Sequence, residues 1–130
     1  MKKYLFAILF AFCFLITANT AQAKKEVVIF SQPCQFCEKM KEALNNGIIA
    51  ANPDIEFTIL DIQDEKNYRL LNTFAANYGL SGNIGLPILF IGENYMMGWG
   101  PNAPQELQNY IEIFKKETIT RIPTKVMLQQ

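Results

Sequence analysis

The sequence predicts an α/β domain, a mixed four-stranded sheet with helices on both faces. Three observations carry this expectation. Strand-like apolar runs alternate with helical stripes in the order β-α-β-α-β-β-α. The leading βαβ unit implies two parallel strands joined by a right-handed crossover. A tight Gly92-Glu93-Asn94 turn after Ile91 implies an antiparallel hairpin.

Residues 26–31 form the first strand, and the unbroken apolar run Val27-Val28-Ile29-Phe30 suits a central strand covered on both sides. The first helix starts near Gln35 and presents Phe36, Met40, Ala43 and Leu44 at helical spacing. It ends at Asn45-Asn46-Gly47 or runs on through residues 48–51 to the firmer stop Asn52-Pro53-Asp54. Ile55 to Leu60 alternates with Glu56 and Thr58 as the second strand, closed by Asp61. The second helix spans about residues 64–78, with Asp64 and Glu65 suited to its first turn. Its apolar stripe is Tyr68, Leu71, Phe74, Ala75 and Tyr78, and Gly79 fits the position just past its end.

A loop over residues 81–85 leads to the third strand, Pro87 to Ile91, and the hairpin turns into a short fourth strand, Tyr95-Met96-Met97. On a strand the two methionines point to opposite faces, so at most one faces the core. After Gly98-Trp99-Gly100-Pro101, Asn102 is placed to cap the last helix with Gln105 as its capping-box partner. That helix faces the core with Leu107, Tyr110, Ile111 and Phe114. The polar tail, residues 118–130, still carries Ile119, Ile122, Val126, Met127 and Leu128, which are able to pack against the domain.

The first 23 residues read as an export signal rather than part of the fold. Lys2 and Lys3 precede an apolar segment from Tyr4 to Ile16, and Ala21-Gln22-Ala23 is a small-x-small cleavage site. An uncleaved anchor is the alternative, but the apolar core falls short of the ~20 residues a span needs. Cys13 is not expected to be lipidated, because bulky Phe12 precedes it. The expected location is periplasmic or secreted. Residues 24–117 then form one compact domain, with no room for a second.

The whole chain carries 12 basic and 12 acidic side chains. Loss of Lys2 and Lys3 leaves it mildly acidic, so nothing argues for nucleic acid or a membrane surface as partner. A monomer is expected.

Of the three cysteines, only Cys34 and Cys37 survive the loss of the signal. The Cys34-Gln35-Phe36-Cys37 stretch lies between a strand and a helix, which puts the first sulfur at a helix N-terminus. Unpaired N–H groups and the helix dipole favour negative charge there. A thiolate is the reactive form of cysteine, so the placement activates it. A structural staple is the plainer reading. A bridge across so short a loop removes little entropy from the unfolded chain, however, because that gain grows with loop length. Thiol–disulfide exchange is the better expectation, with Cys34 as nucleophile and Cys37, one turn on, as resolving thiol.

With Cys34-Gln35-Phe36-Cys37 at a helix start and Leu86-Pro87 opening a strand about fifty residues later, residues 26–117 resemble the thioredoxin superfamily, in its short glutaredoxin-type βαβαββα form. The resemblance implies that Pro87 is cis and lies beside the cysteines. A cis bond there exposes neighbouring backbone to an extended substrate peptide, which can pair as an added strand. Gln35, Phe36, Leu86, Pro87 and Trp99 are the expected substrate-binding residues. Phe36 serves either as an exposed platform or as the first core residue of its helix, and its loop-to-helix position favours exposure. Trp99 is either a groove wall or a packing cap on the last helix.

The chain also departs from the family. Gln35-Phe36 replaces the Pro-Tyr common in glutaredoxins and the Gly-Pro of thioredoxins. Where many glutaredoxins place Gly-Gly and an Asp to hold the amino-acid end of glutathione, this chain has Gly98-Trp99-Gly100-Pro101, with no acid before Glu106. The buried acid of thioredoxins is missing from the first strand. No cofactor beyond the redox disulfide is expected, and glutathione lacks its usual anchor. The expected partners are protein dithiols or disulfides and an upstream redox protein.

The chain has no histidine, which removes Cys-His catalysis. It also removes the histidine that makes some periplasmic oxidases strongly oxidising. Glu38, in the first turn, disfavours a nearby thiolate. A reductase or isomerase-like potential follows. The rival class is a metal-binding chaperone: two thiolates with Met96 or Met97 are soft ligands suited to Cu(I). Two sulfurs without histidine do not complete a zinc site, and an iron–sulfur cluster needs a second chain.

Overall fold

The computed structural model describes residues 24–117. The expected signal segment, residues 1–23, and the tail, residues 118–130, lie outside them. The elements are β1 (Lys25–Ser31), α1 (Gln35–Ala43), a π-helical turn (Leu44–Ile48), α2 (Ile49–Ala51), β2 (Ile55–Asp61), α3 (Glu65–Asn77), β3 (Ile88–Ile91), β4 (Asn94–Met97) and α4 (Ala103–Lys116). They build one mixed sheet in the order β2-β1-β3-β4. β1 runs parallel to β2 and antiparallel to β3, and β3 runs antiparallel to β4.

β1 is buried on both faces, as its unbroken apolar run requires, and it divides the core in two. Val27 and Ile29 point to one side, where Met40 and Leu44 join Leu107, Ile111 and Phe114 of α4. Val28 and Phe30 point to the other, against Leu71 and Phe74 of α3 and Phe90 of β3. On this second side Phe30, Phe74 and Phe90 form a triangle with ring centroids 5.1 to 5.9 Å apart. Two of its pairs are edge-to-face, the arrangement that ring quadrupoles favour.

Asn45-Asn46-Gly47 does not end the first helix. The chain passes through the π-helical turn, where Gly47 leaves helical geometry, and stops at Asn52. Asn52 is fully buried. Its Nδ2 donates to the Ile48 carbonyl at 2.8 Å and to Gln108 Oε1 at 3.0 Å, while its Oδ1 accepts from Lys115 Nζ at 3.2 Å. One side chain therefore closes the helix and ties it to α4.

Two expectations are corrected. Tyr68 was placed on the apolar stripe of α3, but it is 51% exposed. Leu71, Phe74 and Ala75 fill the space against the sheet, and Tyr68 sits at the edge of that stripe. The capping box on α4 does not form. Asn102 has near-helical dihedrals (φ −92°, ψ −1°) and makes no side-chain capping bond. Gln105 Nε2 donates instead to Asn109 Oδ1 at 3.0 Å. Pro104 in the first turn has no N–H, so one of the donors a cap would satisfy is absent.

At the far end of the sheet, Gly92 opens the hairpin with φ 60°, the first-position glycine of a type II′ turn. A Cβ there would lie 2.6 Å from Phe114 Cδ2 and closer still to the Glu117 carboxylate. Lys25 Nζ caps the end of α4 by donating to the Phe114 and Glu117 carbonyls.

Asn52→Ala is expected to destabilise the domain by about 1–3 kcal/mol, the cost of leaving buried polar partners unpaired. Gly92→Ala is expected to cost more than about 1 kcal/mol, since it combines a positive φ with a steric clash. Urea unfolding of each variant against the parent chain checks both.

Candidate functional site

The parallel and antiparallel pairings decide what gathers at one end of the sheet. That end collects the C-terminal ends of β1, β2 and β4 and the N-terminal end of β3. The starts of α1, α3 and α4 follow directly from those strand ends. Cys34 lies there, three residues beyond Ser31, the last rung of β1, and Cys37 follows one helical turn later.

Cys34 is the N-cap of α1, with extended dihedrals (φ −157°, ψ 155°). Its Sγ accepts from the Cys37 N–H at 3.1 Å, and its carbonyl accepts from the Glu38 N–H at 3.0 Å. A sulfur thus fills the role usually taken by a serine or aspartate oxygen. A thiolate at this position gains a hydrogen bond to its charge and the favourable end of the helix dipole.

Cys34 is partly exposed, whereas Cys37 is fully buried. The two are joined as a disulfide, with Cα atoms 5.2 Å apart. Glu38, the first-turn acid, is exposed and pairs with Lys41 Nζ at 3.2 Å, which offsets its charge beside the sulfur.

The Leu86–Pro87 bond is cis. The β1–β3 ladder ends with Phe30 opposite Ile88, one residue before Ser31 on β1 and one after Pro87 on the other strand. The Pro87 carbonyl accepts from Gly98 N at 2.7 Å, the last rung between β3 and β4. Ser31 is itself buried, and its carbonyl accepts from Ile62 N at 2.9 Å. One strand end therefore anchors the cysteine turn, the proline loop and the exit of β2.

The remaining candidates divide by exposure. Gln35 is exposed, and Phe36 presents 52% of its surface to solvent. Leu86 is half-buried and packs on the Phe30 side of the sheet. Trp99 is only 8% exposed and packs in the cluster that includes Met40, Met96, Ala103 and Leu107. Its ring stands in the core at the start of α4.

Met96 and Met97 face opposite sides. Met96 is buried with Trp99, while Met97 is 44% exposed and lies over Gly85, where a Cβ would come within 3.2 Å of Met97 Cγ. Among the described residues, no three His, Cys, Asp or Glu side chains group to hold a metal ion, and no helix is long and apolar enough to cross a membrane.

Sequence reasoning did not single out a cleft between α3 and the loop before Pro87. It holds about 320 Å³ and is lined by Ile62, Tyr68, Leu71, Asn72, Ile84 and Leu86, with residues 82–83. The signal was the spacing of Tyr68, Leu71 and Asn72 on α3, which reads equally well as a core stripe.

Chemically, a cysteine pair of this spacing can cycle between dithiol and disulfide, with one sulfur accessible and the other protected. Compared with family models, curated proteins and solved structures, the chain matches none.

In the reduced protein under native conditions, iodoacetamide is expected to alkylate Cys34 and to leave Cys37 unmodified until the chain is unfolded. Fragment mass spectrometry of the labelled peptide reads this directly.

Proposed function

We propose that this protein is a thiol–disulfide oxidoreductase of thioredoxin-like fold and glutaredoxin size, acting through Cys34 and Cys37. The observation that carries the proposal is the asymmetry of the pair: an N-capping, partly exposed Cys34 Sγ one turn before a fully buried Cys37. The β-α-β-α-β-β-α order and the cis Leu86–Pro87 bond at the same sheet end support the fold assignment. The helix start is interrupted by no other thiol and assisted by no histidine.

In the reducing direction, the Cys34 thiolate attacks one sulfur of a substrate disulfide. A Cys34–substrate bond forms and the second substrate sulfur leaves as a thiolate. Cys37, deprotonated, then attacks Cys34 Sγ. The Cys34–Cys37 disulfide forms, and the first substrate sulfur is released. The substrate gains two electrons and the protein loses two. Run backwards, the same steps oxidise a substrate dithiol. A partner dithiol or disulfide resets the pair.

The substrates proposed are polypeptides. The β3–β4 ladder ends at Pro87, so Leu86 lies beyond its last rung. An extended segment can pair with the Leu86 backbone as an added strand. Glutathione fits less well, because the stretch 98–101 has no acid and the next one downstream, Glu106, is an exposed residue in the first turn of α4. The export signal expected in residues 1–23 supports a periplasmic or extracellular setting, where disulfides persist.

Cys37→Ser is expected to accumulate mixed disulfides with substrate proteins on Cys34, visible as reductant-sensitive bands. Cys34→Ser, and the double variant, are expected to accumulate none. Trapping that survives loss of Cys34 contradicts the assignment.

A further inference from the structure

At the same end of the sheet as the cysteines, on the α3 side, the cleft of about 320 Å³ is not used by the exchange chemistry itself. Both of its walls adjoin the end of β1 that leads into the cysteine turn. Ile62 donates its N–H to the Ser31 carbonyl, and Leu86 lies two residues before Ile88, which pairs with Phe30 at the end of the β1–β3 ladder. The floor is apolar: Leu71 belongs to the buried core, and Leu60, Ile62, Ile84 and Leu86 pack around it. The rim carries Tyr68 and Asn72, both exposed on the outer side of α3. No charged side chain lines the cleft. Acidic side chains do stand close by in the chain, at Asp61 and Asp64 on either side of the Ile62-Gln63 turn.

We infer that this cleft is the specificity pocket for the substrate polypeptide. It takes one uncharged apolar side chain near the reacting cysteine, and Tyr68 closes over it. The inference rests on the exchange reading of Cys34 and Cys37 and names the substrate class of that site. Leu86 makes the link. The same residue walls the cleft and lies just past the end of the β3 ladder, where an added strand pairs. Side chains of an extended strand alternate between faces, so every second one from a segment passing Leu86 points toward the α3 side. An aliphatic or aromatic side chain there gains by leaving water, at about 25 cal/mol for each Å² of apolar surface buried. A carboxylate there loses hydration and finds no cationic partner in the lining. This accounts for the exposure of Tyr68: a large ring held out of the core, at the mouth of an apolar cleft, gains packing area when the cleft is filled.

The test uses the Cys37→Ser chain with Cys34 joined to thionitrobenzoate. A peptide thiolate attacks Cys34 Sγ, the Cys34–peptide disulfide forms, and coloured thionitrobenzoate leaves. Single-cysteine peptides carry Leu, Phe, Gly or Asp at each of the two positions on either side of the cysteine. At one of these positions the Leu and Phe peptides are expected to react about tenfold faster than the Asp peptide, the scale of discrimination an apolar pocket provides. Tyr68→Ala is expected to bring that ratio close to one. Asn72→Lys is expected to shift preference toward the Asp peptide, a change that misfolding does not produce. If all peptides react at equal rates and neither variant alters their ratios, the pocket is not the selector and the exchange reading stands. If no peptide and no small dithiol releases thionitrobenzoate, the exchange reading itself fails.

Discussion

The burial of β1 on both faces is the constraint from which the rest of the structure follows. A strand with Val27 and Ile29 on one side and Val28 and Phe30 on the other must be central, with helices covering both sides. Its parallel neighbour β2 and antiparallel neighbour β3 are then in fixed register, because a one-residue slip would turn every core side chain to the wrong face. That register brings the end of β1 beside the start of β3, and the Ile62 N–H donates to the Ser31 carbonyl just before the cysteine turn. The far end is closed by different means: Lys25 caps α4, and Gly92 lets the hairpin pass beneath Phe114.

Reactivity arises at the near end from geometry more than from neighbouring charge. With no histidine in the chain, a Cys34 thiolate is favoured by the Cys37 N–H and the helix dipole alone. Glu38 would oppose it, but Lys41 pairs with that carboxylate on the helix surface. In the proposed exchange, burial of Cys37 divides the labour between the two sulfurs: the partly exposed one meets substrate and the protected one completes the reaction. Apolar surface at Phe36, Leu86 and Tyr68 surrounds this end without adding charge, which suits recognition of polypeptide rather than a small anion.

Much of this was legible from sequence because the strongest signals were local. The apolar run of β1, the helix-start cysteines and the Leu86-Pro87 strand opening each need only a few neighbours to be read. The four strands and the burial of Leu71, Phe74, Leu107, Ile111 and Phe114 followed from periodicity, and the β1–β2 and β3–β4 pairings from the crossover and the tight turn. What escaped depended on long-range packing. Tyr68 has the spacing of a core residue, and only the width of the contact between α3 and the sheet puts it outside. Asn102 and Gln105 match a capping box, but the backbone entering α4 is already nearly helical at Asn102. Asn52 looked like a simple helix stop. Its partners Gln108 and Lys115 come from the far end of the chain, and no local pattern announces them.

Whether Cys34 and Cys37 form the proposed exchange centre or a staple is read from their reduction potential. Equilibration against defined thiol–disulfide buffers, followed by acid trapping, should give a single two-electron transition of the pair. The account predicts a potential between that of structural disulfides, below about −300 mV, and that of the strongest periplasmic oxidase, about −120 mV. A value below this window would make the bridge structural. A value at its upper limit would contradict an exchange centre whose thiolate depends on helix position without histidine.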